Sequence, residues 1–223
     1  MKRFGYTAAL AALLAGCGGA SSGNNMAAAN LAAGNGAQPD APRQRPIPCS
    51  VERHGMEAVV NGSTEAACDD SVDPQTMNLD ELIRIIPDQH PAFYYILAKR
   101  LFEAGRRDEA VFWMYAGQLR YRIRLVCHTD LRPDTEPALY ASLHETVGRQ
   151  INEYAGGDPA AWAAAVERAR AWDAATRNGF EPKAPCANAI AEQRDGMGQL
   201  IAQLRANPDA IRRGRTANGL PNR

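Results

Sequence analysis

A chain of 223 residues with 25 basic and 25 acidic side chains has no net charge to offer a polyanion. That balance argues against nucleic acid as a partner, and against a membrane held by a polybasic surface. Hydrophobic residues make up 45% of the chain, enough for a packed core, and the length suits one domain after a leader and a linker.

Lys2 and Arg3 precede an apolar stretch from Phe4 to Leu14. This is the charge-then-apolar order of an export signal, and it is shorter than the ~20 residues needed to span a bilayer. The stretch closes on Leu14-Ala15-Gly16-Cys17, which resembles the lipobox of bacterial lipoproteins. The resemblance implies a signal peptide over 1–16, cleavage before Cys17, and a diacylglyceryl group on its thiol. With palmitate-length chains, and roughly 0.8 kcal/mol for each buried CH₂, such an anchor does not leave the membrane. It also implies a cell-envelope location. Gly18, where Asp would follow in an inner-membrane signal, points to the periplasmic face of the outer membrane. Residues 17–48 are mostly Gly, Ala, Ser, Asn, Gln and Pro. They read as a lipidated, disordered tether with too little apolar surface to offset its ordering entropy. A folded domain is expected over 49–206, followed by a frayed basic tail over 207–223.

Four further cysteines, Cys49, Cys68, Cys127 and Cys186, make an even set. In an oxidising compartment such a set reads as two disulfides with three possible pairings. The favoured pairing is Cys49–Cys68 and Cys127–Cys186, one closing a local loop and the other tying the end of one helix to the start of the last. The absence of any Cys-x-x-Cys pair argues against structural zinc.

From residue 78 onward the apolar spacing is helical. Asn78 caps a short helix carrying Leu79, Leu82, Ile83 and Ile86, stopped by Pro87. Pro91 opens a second helix that runs to Glu103 and ends at Gly105. Asp108 opens a third. Its stretch Leu119–Leu125 alternates apolar and polar residues like a strand, but no turn signal interrupts the helix. The stretch is therefore read as helix, with Arg120 and Arg124 on its wetter side. A fourth helix covers about 136–147, and Ile151–Tyr154 reads as a short turn. Asp158-Pro159 starts a fifth helix that runs to about Thr176, and the last spans about 187–206 with Ile190, Met197, Leu200, Ile201 and Leu204 on one face. The fold class is mainly α, a disulfide-stapled helical bundle or a short helical array.

Tyr94, Leu97, Ala98, Leu101, Gly105, Ala110, Met114 and Gly117 stand at the spacings of one tetratricopeptide or Sel-like repeat, and the segment from Pro91 to Leu125 resembles such a unit. Gly117 departs from the usual Ala, and the closing Pro is missing. The resemblance implies an antiparallel hairpin. A peptide-binding array normally takes about three units, and one is visible.

The patterns that could carry chemistry are incomplete. His144-Glu145 has the start of a zinc-protease motif, but the second His would fall at Gly148. Asp69, Ser71, Asp73 and Asp80 occupy calcium-loop places, with Pro74 where a Gly is required. That stretch reads as a solvated acidic loop, and no metal or cofactor is expected. There is no nucleophile elbow and no phosphate loop. Tyr95 and Tyr115, near Arg100, Arg106 and Arg107, are candidates to line a partner groove. The expected function is a lipid-anchored module that binds an envelope protein or peptide. The alternatives are an envelope hydrolase with a carboxylate or His site, and a periplasmic inhibitor or immunity-type protein.

Overall fold

In the computed structural model, residues 72–181 and 186–223 are described. The expectations for Cys17, for the Cys49–Cys68 pair, for the tether, and for Asp69 and Ser71 all lie outside those residues. No described helix is long and apolar enough to cross a membrane.

Every regular element among the described residues is helical. In chain order they are α1 (Leu79–Ile85), a 3₁₀ turn (Ile86–Asp88), α2 (Pro91–Glu103), α3 (Arg107–Cys127) and α4 (Glu136–Leu143). A π turn (His144–Gly148) follows, then α5 (Arg149–Ala155), α6 (Pro159–Ala175), α7 (Ala187–Ala206) and α8 (Pro208–Ala217). The starts follow from side-chain chemistry. Asn78 Oδ1 accepts from the Asp80 and Glu81 amides, and Asp158 Oδ1 accepts from Ala160 and Ala161. Both satisfy amides that a helix start otherwise leaves unpaired. Pro91 and Pro159 sit where no amide is needed.

The α2–α3 hairpin has the packing the repeat spacing implies. Tyr94, Leu97, Ala98, Leu101, Ala110 and Met114 are fully buried. Gly105 takes φ 81°. Its amide donates to Phe102 O, and the Arg106 amide reaches back to Leu101 O. This is the paired closure that a left-handed residue allows. Gly117 replaces the expected Ala because a Cβ there would lie 2.4 Å from Tyr94 Cβ. The two backbones cross too closely for a methyl group.

Helix α3 is the axis of a bundle. Helices α2, α4, α5, α6 and α7 all pack on it, and α7 also packs along α6. Residues 113–121 of α3 are buried without interruption. A helix covered on all sides does not show a polar stripe. The expectation of a wetter side for Arg120 and Arg124 is therefore wrong, since both are buried.

Two further boundaries differ from the sequence reading. The helix that starts at Glu136 does not stop near 147. It passes through the π turn and continues to Ala155, so 151–154 is helix rather than turn. The frayed tail is also not found. Pro208 starts α8, Ile211 and Arg215 are buried, and Gly219, at φ 72°, closes the helix with Leu220 N donating to Arg215 O.

Cys127 and Cys186 form a disulfide, with Cα atoms 5.7 Å apart and a sequence separation of 59. Closing a loop of that length removes unfolded-state entropy equivalent to about 4 kcal/mol. Reduction with a thiol should lower unfolding stability by an amount of that order in chemical denaturation, and a Cys127→Ala variant should lose the response.

Two glycine substitutions test the packing. Gly117→Ala should destabilise the protein by about 1–3 kcal/mol through overpacking against Tyr94. At Gly198, mid-α7, a Cβ would meet nothing closer than Arg170 Cζ at 3.8 Å. Gly198→Ala should therefore stabilise by about 0.5–1 kcal/mol through helix propensity. Urea midpoints of the two variants should move in opposite directions.

Candidate functional site

Two arginines one turn apart on α3 organise the charged interior. Arg120 Nε donates to Asp173 Oδ1 at 3.2 Å. Its Nη1 donates to Pro87 O at 2.9 Å and to Tyr94 Oη at 2.6 Å. Its Nη2 donates to Thr176 O at 3.3 Å and Arg177 O at 3.1 Å. A guanidinium has five N–H donors, and all five are used. The Trp172 ring lies 4.4 Å from its Cζ. Arg194 Nε takes the other Asp173 oxygen at 2.8 Å. Gly179 completes the seat. Its amide donates to Pro87 O, and a Cβ there would lie 1.7 Å from Asp88 Oδ1.

Arg124 Nε donates to Glu136 Oε1 at 2.8 Å, and its Nη1 pairs with Glu181 Oε1. Glu136 also accepts from Tyr121 Oη at 2.6 Å. His90 Nε2 lies 2.9 Å from Glu136 Oε1, and its Nδ1 accepts from the Ala92 amide at 3.1 Å. Because Nδ1 accepts, the ring proton sits on Nε2 and points at Glu136. Glu181 Oε2 is 2.8 Å from His128 Nε2. Burial alone would raise the Glu136 pKa. Hydrogen bonds from His90 and Tyr121 and the adjacent Arg124 charge overcome burial and hold it down to about 2. Burial pushes the His90 pKa below its ordinary value, partly opposed by Glu136, so the ring is neutral.

Each acid and base in these clusters is engaged with another; His128 and Arg194 are half-buried and the rest are buried. The arrangement fixes loops to helices. Among the described residues, no group of three or more His, Cys, Asp or Glu is placed to hold a metal ion. Asp73 instead caps a local turn through the Gln75 amide and the Thr76 hydroxyl, and Asp80 pairs with Arg106 at 3.4 Å. His144 sits on the π turn with Gly148 one turn on, where a Cβ would lie 3.1 Å from His144 Nδ1.

An opening lies elsewhere, where the start of α3 meets the end of α5 and the first turns of α6. A depression of about 150 Å³ has Val111, Ala155, Trp162 and Ala165 as its floor and Asp108, Arg168 and Arg223 at its rim. Trp162 is held from below, since its Nε1 donates to Tyr115 Oη at 2.8 Å and that hydroxyl donates to Asn152 Oδ1 at 2.9 Å. At the rim, Arg223 Cζ lies 3.6 Å from the centroid of the Tyr154 ring, and its Nη1 donates to the Tyr154 hydroxyl. That hydroxyl donates in turn to Asp108 Oδ1 at 3.0 Å. The Arg223 amide donates to Gly157 O at 2.7 Å.

The residues singled out from sequence are not brought together. Tyr95 and Tyr115 are fully buried, so neither lines a surface groove. Neighbouring aromatics point to different faces of a helix, and here those faces meet other elements, because α2 and α3 are covered on several sides. Arg100 donates to Pro74 O at 2.7 Å, and Arg106 makes a two-point contact with Glu109. Arg107 lies over the Phe102 ring at 5.2 Å and the Tyr154 ring at 5.7 Å, and shares Tyr154 with Arg223. Sequence reasoning missed Asp108, Tyr154, Trp162, Arg168 and Arg223. The available signal was Gly156-Gly157 before Asp158-Pro159, which marks a tight corner where backbone and ligand can approach. No protein-family model matches the chain, and neither a curated protein nor a solved structure matches it.

The buried clusters predict two outcomes. Arg120→Ala leaves Asp173 with Arg194 alone and takes from the Thr176 and Arg177 carbonyls the donor they have in the core, and should cost about 3–5 kcal/mol in denaturant unfolding. Acid should also destabilise. A carboxyl with a lowered folded pKa contributes stability that is present above its unfolded pKa near 4.5 and is lost as pH falls through the folded value near 2. For Glu136 this is on the order of 3 kcal/mol. A buried neutral His acts in the same direction, since the unfolded chain takes up the proton first as pH falls below about 6.5. Stability measured against pH should therefore fall from neutrality towards pH 2, and Glu136→Gln should flatten the part below pH 5.

Proposed function

We propose that the chain is a lipid-anchored interaction module of the cell envelope, without catalytic chemistry of its own, and that the corner between α3, α5 and α6 is where it meets a protein partner. The N-terminal Leu14-Ala15-Gly16-Cys17 run supports the anchor. The Cys127–Cys186 disulfide supports an oxidising compartment. The observation that carries the interaction reading is the corner itself. There the Arg223 amide donates to Gly157 O, and its side chain lines a mostly apolar depression. The buried acids and bases, by contrast, are consumed in pairing with each other. The periplasmic face of the outer membrane is the proposed site of action, with the tether setting its reach.

The test has two arms. Labelled palmitate should enter the wild-type chain and not Cys17→Ser, with the wild type in the membrane fraction. A photo-crosslinking side chain at Ala164, exposed beside the depression, should give a discrete adduct in intact envelopes. The same probe at Glu192, exposed on α7, should give none. Palmitate incorporation into both chains alike would remove the anchor at Cys17. Equal or absent crosslinking at the two positions would remove the interaction reading.

A further inference from the structure

We propose that the corner is an arginine-recognition site. It accepts an arginine next to a small apolar residue in an extended segment of the partner, and the chain's own Arg223 occupies it when the partner is absent. This rests on the interaction reading above and names the ligand for it.

The chemistry at the rim selects a guanidinium. Arg223 Cζ lies 3.6 Å from the centroid of the Tyr154 ring. In the same position Nη1 reaches the Tyr154 hydroxyl, and Asp108 Oδ1 is 3.7 Å away. A planar, delocalised cation meets a ring and its hydroxyl together through several fixed donors, a fit that a point-like ammonium matches less well. The backbone is shaped for it as well. A Cβ on Gly157 would lie 3.0 Å from Arg223 Cγ and 3.1 Å from Nε, so the glycine clears the space in which the arginine stem lies. Arg215, held on Glu153 O at 2.6 Å, donates to Pro221 O at 2.6 Å and fixes the backbone two residues before Arg223.

Two features favour exchange over a permanent closure. The Arg223 side chain is about a third exposed, and Asp108 is 73% exposed, so their ion pair is weak in water. The depression continues from Arg223 over Val111, Trp162 and Ala165 towards Arg168. Asn222, the residue before Arg223, offers no apolar side chain to that floor. An arginine flanked by alanine or valine would use both the ring and the floor. The internal segment competes at a high effective concentration because it is tethered.

The experiment measures binding of a fluorescent peptide, Gly-Ala-Arg-Val-Gly, to the full chain by anisotropy. Arg223→Ala should bind at least tenfold more tightly than wild type, because the internal guanidinium no longer competes. In the Arg223→Ala background, Tyr154→Ala or Asp108→Asn should weaken binding at least tenfold. Asp108 is exposed, so its variant tests the site even where Tyr154→Ala does not fold. Replacing the peptide's arginine with lysine should weaken binding severalfold, and replacing it with alanine should abolish binding. Equal affinity of wild type and Arg223→Ala would overturn the proposal, as would a peptide that binds equally well without its arginine. If the peptide fails while Ala164 still crosslinks a partner, the arginine site falls and the interaction module stands. If the peptide binds Arg223→Ala as expected while Ala164 captures nothing, the site's chemistry stands and the module reading falls.

Discussion

The fold depends on a constraint at Arg120: a guanidinium on a helix covered from every side must find a partner for each of its five N–H groups. It finds them on three pieces of chain, the 3₁₀ turn after α1, the start of α2, and the end of α6 with the residues that follow. Three of the five bonds go to main-chain carbonyls at places where helices stop. Carbonyls at helix ends have no partner within the helix, so one side chain satisfies several of them together. A buried ion pair is weak evidence of net stability, because desolvation offsets its attraction. Its consequence here is positional. The turns at 86–88 and 176–179 cannot shift without leaving donors or acceptors unpaired in the core, and Gly179 has no room to tolerate a side chain.

Arg124, one turn on, repeats the device towards the other end of α3 and links it to the disulfide. Its carboxylate partners are Glu136, at the first position of α4, and Glu181, on the segment between α6 and α7. Cys127 ends α3 and Cys186 precedes α7, so the bridge limits how far the segment bearing Glu181 can depart. Phe180 covers the site, its ring centroid 5.0 Å from Arg124 Cζ and 4.9 Å from the His90 ring. The neutral His90 caps α2 with one nitrogen and serves Glu136 with the other. Oxidation of the cysteines and exclusion of water from the carboxylates are thus properties of one region.

Local signals in the sequence located most helix starts, and they failed where the answer depended on distant residues. Asn78, Pro91, Asp158-Pro159 and Gly105 act through their own backbone neighbours, so their roles could be read directly. The last long helix and its buried face were legible for the same reason, and of the three pairings that counting leaves open, Cys127–Cys186 was favoured by its place at two helix ends. Arg120 and Arg124 were misplaced because periodicity reports which face of a helix is apolar, not whether a second layer covers the other face. Their carboxylates lie between 12 and 57 residues away. Tyr95 and Tyr115 were misplaced by the same assumption. Helix α8 was missed although Asn207-Pro208-Asp209 is a start signal and Asn218-Gly219 a stop. The arginines between them suggested a solvated tail, but Arg215 is buried against α5.

The candidate site joins the rigid part of the molecule to its most replaceable contact. Asp108 belongs to the first turn of α3, whose later turns are pinned by Arg120 and Arg124. Trp162 cannot tilt without breaking its bond to Tyr115, which is itself held on Asn152 of α5. Floor and rim therefore come from three helices whose relative positions are set by the core. A site presented this way has its geometry before any ligand arrives, which lowers the ordering cost of binding. The segment lying in it is held differently. Arg223 is bound by one stacked ring, one hydroxyl, one carbonyl and an exposed carboxylate. A fixed cradle beneath an exchangeable arginine is what competition between an internal and an external ligand requires. The first supplies selectivity, and the second lets a better-fitting partner displace the chain's own side chain.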